Sequence, residues 1–174
     1  AAAIRKVLQK GIDWEYLFRV AGRHGLLPLL YDRLNTICPE SVPATQLNRL
    51  KTHFHANLAR NLFLTAELLK LLNLFENHGI PAVPFKGPVL ASSVYGNLSL
   101  REFSDLDILI FREDLKRAKD LLLTYDYLPI YRLSDTQQAF FDGLGCESHF
   151  SHKKTGINVE MLWEFGPKGL SFPI

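Results

Sequence analysis

FKGPVLASSVYGNLSLREFSDLDILIF, residues 85–111, joins two local signals. Its end, Ser104-Asp105-Leu106-Asp107-Ile108-Leu109-Ile110, predicts a strand. Strand side chains alternate faces, so Asp105 and Asp107 share one face while Leu106, Ile108 and Ile110 line the other. The apolar side gives the strand a face to bury. Two like charges this close raise each other's pKa, and a hard divalent cation such as Mg²⁺ suits an all-oxygen carboxylate site. Taken alone, the pair also reads as solvated acids on a sheet edge.

The other end of the stretch is complementary. After the apolar run Ile80-Pro81-Ala82-Val83-Pro84-Phe85 come Lys86-Gly87 and then Pro88 to Tyr95, a helix with proline in its first turn. A strand that breaks at glycine into a helix start exposes backbone N–H groups at the positive end of the helix dipole, which makes an anion site. Lys86 adds a full charge there. Arg101, four residues before Asp105, offers a planar donor fork suited to phosphate. Lys86 reads equally as a surface lysine beside a turn, contributing little to folding, and Arg101 as a structural partner of Glu102 or Asp105.

Lys86-Gly87, Leu90-Ala91, Tyr95, Arg101 and Ser104-Asp105-Leu106-Asp107-Ile108-Leu109 together resemble the signature of the uncharacterised bacterial nucleotidyltransferase family, a branch of the polymerase-β-type nucleotidyltransferase superfamily. The likeness extends to Trp14 and Ala21-Gly22-Arg23-His24-Gly25-Leu26 before it and to Val159-Glu160-Met161-Leu162-Trp163 after it. The resemblance implies an α+β nucleotidyltransferase fold, a mixed sheet with packed helices and an N-terminal helical subdomain. The implied activity moves a nucleoside monophosphate from a nucleoside triphosphate such as ATP to an unknown acceptor hydroxyl or phosphate. It assigns Asp105, Asp107 and Glu160 to catalysis and to a metal, Mg²⁺ or Mn²⁺, and it assigns Lys86, Gly87, Arg101 and Ser104 to the nucleotide phosphates.

Other classes share parts of the pattern. The same residue order resembles the toxin component of a toxin–antitoxin pair, which implies an antitoxin-like protein partner. Asp-x-Asp also serves nucleotide-sugar glycosyltransferases, and a regulatory module can keep the nucleotide-binding fold without catalysis. Three features depart from the pattern: Pro88 follows Lys86-Gly87 where many superfamily members have a glycine-serine or glycine-glycine pair, so the serine contact to phosphate is missing; Leu162 stands before Trp163 where the family often has histidine; and the spacing from Gly87 to Asp105 is longer than in minimal members.

Composition sets the bounds. A chain of 174 residues with 47% apolar and 22% charged residues is one globular domain, or one with an appended helical region. Its formal net charge of +2 argues for no nucleic-acid patch and no membrane surface. Cys38 and Cys146 are too few and too far apart for a disulfide framework or zinc site, so a reducing cytoplasm is expected. Because the chain begins at Ala1 without methionine and stops at Ile174 soon after a strand, a fragment is expected, truncated at its C-terminus.

The division expected is a helical region over 1–79 and a nucleotidyltransferase core over 80–174. In the first, Asp13 caps a helix from Trp14 to Arg23 that Gly25 stops, Pro28 opens another through Leu34, and Thr45 to Asn77 is one long helix or two joined ones. Its apolar periodicity reads as packing scaffold, and Lys51, Arg60 and Lys70 as a solvated face. In the second, a helix over Leu115–Tyr125, a strand over Tyr127–Arg132 and a short helix from Ser134 to Phe141 precede a hairpin of Cys146–His152 with Ile157–Trp163. Alternation puts Asn158 and Glu160 on one face of its second strand. His149 and His152 read as ordinary hairpin residues.

Overall fold

The computed structural model describes residues 2–131 and 133–164, and they form an α+β fold of helices with one mixed sheet. The chain divides into two compact units, Ala1–Phe63 with Leu90–Phe103 and Leu64–Val89 with Ser104–Ile174.

The first unit holds helices α1 (Ala2–Leu8), α2 (Trp14–Arg23) and α3 (Leu27–Ile37), together with the first part of α4 (Ala44–Asn77). Asp13 caps α2 as its position predicts, accepting a hydrogen bond from the Tyr16 N–H at 2.9 Å. α3 begins with Pro28 in its first turn, where a missing N–H costs no helical bond. With no proline or glycine to interrupt it, α4 runs as a single helix of 34 residues, which settles the choice between one helix and two. The core of this unit is Phe18, Ala21, Leu27, Leu34, Cys38, Val42 and Leu50, so Cys38 serves as a packing residue.

The second unit takes the rest of α4 and five strands: β1 (Ala82–Pro84), β2 (Asp105–Ile110), β3 (Tyr127–Pro129), β4 (Glu147–His152) and β5 (Asn158–Leu162). The short helix α5 (Gly87–Ser93) follows β1, and α6 (Leu115–Thr124) and α7 (Asp135–Leu144) flank β3. The order across the sheet is β1-β2-β5-β4-β3. β2 is therefore an inner strand, antiparallel to β1 and parallel to β5, and the solvated sheet-edge reading of its acids does not hold. Its alternation is as expected: Leu106, Ile108 and Ile110 are buried, beside Val159 and Met161 of β5. α6 buries Leu115, Ala118 and Leu122, three or four residues apart on one face.

The hairpin β4–β5 closes at Gly156, which takes a positive φ of 68° and donates its N–H to the His152 carbonyl at 2.8 Å. β3 ends at Pro129, and Arg132, the expected end of that strand, lies outside the described residues. Tyr127 is buried at the start of β3 and donates its hydroxyl to Glu67 of α4 at 2.9 Å. Among the described residues, no helix is long and apolar enough to cross a membrane.

Candidate functional site

The sheet register builds the acidic cluster. Parallel pairing sets Asp107 beside Glu160 and Asp105 beside Asn158, and the period of two puts Asp105, Asp107 and Glu160 on the same face. Asp107 is the most enclosed, its side chain 2% exposed, while Asp105 and Glu160 are half-buried. Burial raises the Glu160 pKa, and the nearby Asp105 and Asp107 charges push it further up.

Lys86 is the counter-charge. The pairing of Pro84 with Ile108 carries the chain after β1 back along β2 toward its acidic end, and the Lys86 ammonium donates to Asp107 Oδ1 at 2.7 Å. That bond raises the lysine pKa against the opposing effect of burial, with Asp107, Glu160 and Asp105 adding their attraction. Lys86 is thus no plain surface lysine, although half its side chain meets solvent. Lys86→Ala is expected to lower the melting temperature, by an amount set by about 1–3 kcal/mol, because it strands a buried carboxylate beside two others. Calorimetric melting checks this, and an unchanged temperature would return Lys86 to the surface reading.

The other phosphate candidates are placed as follows. Gly87, the first residue of α5, has φ of 48°, in the left-handed region that favours glycine. Ser104 is exposed, immediately before β2. Arg101 belongs to the first unit, its guanidinium carbon 5.9 Å from the Phe103 ring centre. Its Nη1 is buried and has no hydrogen-bond acceptor among the described residues. Glu102, one of its expected partners, instead lies 2.9 Å from His53 Nε2.

One residue read in the sequence as an ordinary hairpin residue stands at the site. His149 pairs with Glu160 across the hairpin, its Nδ1 3.5 Å from Glu160 Oε1 and its Nε2 3.2 Å from Glu147 Oε1. Counting back from the Lys153–Gly156 turn would have set His149 opposite Glu160, whereas face alternation alone relates it only to residues of its own strand.

The raised Glu160 pKa has a pH signature. From its ordinary value of 4.5 up to the raised one, the folded chain holds a proton that the unfolded chain has lost. The associated stability is present at low pH and is lost as pH rises through the folded pKa. Burial drives this, Asp105, Asp107 and Glu147 add to it, and His149 opposes it. Glu160→Gln is therefore expected to melt higher than the wild type near pH 7 and to match it near pH 4, as thermal denaturation at both pH values would show. A variant less stable at neutral pH would mean that ionised Glu160 stabilises the fold.

An all-oxygen donor set of three carboxylates on adjacent strands has the chemistry to hold a hard divalent cation. Asp107 and Glu160 are neighbours, and the excess negative charge beyond Lys86 favours such an ion. As they stand, no three Asp, Glu, His or Cys groups are gathered at metal-ligand separations among the described residues, and Lys86 occupies one Asp107 oxygen.

The mixed, open five-stranded sheet with its helices is consistent with a nucleotidyltransferase-like fold. The chain belongs to the uncharacterised nucleotidyltransferase family, whose model matches residues 10–173. Searches of curated proteins and of solved structures find no match.

Proposed function

We propose that this chain transfers a nucleoside monophosphate from a nucleoside triphosphate to an acceptor hydroxyl or phosphate, releasing pyrophosphate. The observation that carries the reading is the parallel pairing of Asp107 with Glu160, with Asp105 on the same face and Lys86 as counter-charge. Asp105, Asp107 and Glu160 would hold Mg²⁺ or Mn²⁺, which when bound supplies charge neutralisation at the triphosphate.

The remaining work falls to side chains. Lys86 holds Asp107 in the free protein and, on its long and half-exposed stem, would turn its ammonium to a phosphate oxygen when nucleotide binds. Gly87 lets the backbone approach the phosphates without a side chain between them, and Ser104 would add a donor. Glu160 would help bind the ion or take the proton of an acceptor hydroxyl. The acceptor oxygen then bonds to the α-phosphorus, the bond to the bridging oxygen breaks, and that electron pair leaves with pyrophosphate.

A second reading, nucleotide binding without transfer, is favoured by the Lys86–Asp107 bond, which leaves the acids unassembled as metal ligands. One experiment separates them. Thermal stability and pyrophosphate release are measured with each nucleoside triphosphate, with and without Mg²⁺ or Mn²⁺. At 100 times its dissociation constant a nucleotide adds about 2.7 kcal/mol, an easily read shift. Metal-dependent stabilisation with release supports transfer, stabilisation without release supports the inert binder, and no stabilisation by any nucleotide overturns both.

A further inference from the structure

We propose that the cleft between α2 and α4 in the first unit binds a small molecule that carries a phosphate group on an apolar body. All the residues that line it belong to that unit, and the site is independent of the function proposed above. Glu15, Phe18 and Arg19 stand three and four residues apart on α2, and Arg49, Thr52 and His53 repeat that spacing on α4, so each set shares one face of its helix. Facing sides of packed helices ordinarily close on apolar side chains. Here only the floor does so, with Phe18 and Leu27 buried in the core of the unit. Above them the charged and polar side chains leave a cleft of about 710 Å³, a size suited to a small molecule.

Two guanidiniums are the donors of the cleft. Thr52 gives its hydroxyl proton to the Asn48 carbonyl at 3.0 Å, and His53 Nε2 lies 2.9 Å from Glu102 Oε1. Arg49 stacks on Phe18, its guanidinium carbon 4.1 Å from the ring centre, which fixes the plane of the fork. Its Nη1 donates to Glu15 Oε1 at 2.6 Å, one bond from a group with five N–H donors. The Glu15 side chain is 71% exposed, and so open an ion pair adds little to the fold and exchanges readily. Arg19 lies over the Tyr16 ring at 5.4 Å and has no carboxylate partner among the described residues. The cleft therefore sets two positive charges against one exchangeable carboxylate. A phosphate monoester carries close to two negative charges near neutral pH and can engage both forks, where Glu15 engages one. Leu27 and Ala56 in the same lining favour an apolar body behind the phosphate.

Titration calorimetry in metal-free buffer tests the site, with phenyl phosphate as the probe and inorganic phosphate and benzoate beside it. Phenyl phosphate is expected to bind more tightly than inorganic phosphate, which lacks the body, and than benzoate, which has a single charge. Arg19→Gln, at an exposed position, should weaken it roughly tenfold, the scale of a hydrogen bond to a charged group. Arg49→Lys keeps the charge but loses the fork, and a comparable loss is expected. Glu15→Gln should bind roughly two- to fivefold more tightly, because it removes the carboxylate that competes for Arg49. A wild type that binds no phenyl phosphate at millimolar concentration overturns the site. So do inorganic phosphate or benzoate held as tightly as the ester, an affinity unchanged in Arg19→Gln or Arg49→Lys, and weaker binding in Glu15→Gln. The proposed function stands or falls separately, on nucleotide and metal.

Discussion

Asp107→Asn is expected to lower transfer activity roughly a hundred- to a thousandfold, the scale of losing one preorganised charge contact, while leaving the fold near its wild-type stability. The carboxylate lies in the most enclosed position of the acidic face, between Lys86 and Glu160. Asparagine keeps its shape and still offers Lys86 an oxygen, so the structural loss is that between a charged and a neutral acceptor, about 1 kcal/mol. Relief of repulsion with Glu160 and Asp105 offsets part of it. What asparagine cannot supply is the negative charge for a divalent ion. Pyrophosphate release and the metal-dependent gain in melting temperature should therefore vanish together. A drop of several kcal/mol in stability with release retained would make Asp107 a structural acid and end the metal proposal.

Gly87→Val is expected to abolish nucleotide binding and to cost about 1–2 kcal/mol of stability, because a β-branched residue is strained at positive φ. Gly87 has φ of 48° where the chain passes from Lys86 into α5. Strain and crowding are separable with Gly87→Asn, since asparagine tolerates the left-handed region but still adds a side chain. If the asparagine variant melts like the wild type and fails to bind, crowding of the phosphate path is the cause. Unaltered affinity in both variants would remove this corner from the nucleotide site.

Local signals were legible in the sequence and long-range pairings were not. Asp13 as a cap, α4 without a breaker, the alternation of β2 and the turn before Gly156 are each settled within a few residues, where sterics and short hydrogen bonds act. Alternation also put Asp105 with Asp107, and Glu160 on a face of its own strand. It could not say that β5 lies parallel against β2, because a period of two fixes a face and leaves the neighbour open. The burial of Asp107 beside Glu160 follows from that pairing and the grip of Lys86 upon it from the pairing of β1 with β2, whereas His149 meets Glu160 through the local β4–β5 hairpin. Arg101 was read by its distance along the chain from Asp105, yet its backbone is held by α4 through Asn57 and Asn61.

The strand order has a consequence for biogenesis. β5 is the last described strand to be synthesised, yet it occupies the middle of the sheet, between β2 and β4. A chain emerging from the ribosome can form the β1–β2 pair and the helices of its first unit early. The acidic face stays incomplete until β5 inserts between β2 and β4. That insertion closes a long loop, the slow kind of event in folding, and it brings three like charges together as it does so. Insertion of β5 and assembly of the acidic face are thus one event, and an ion or nucleotide that favours the assembled acids would also draw the nascent chain through this step.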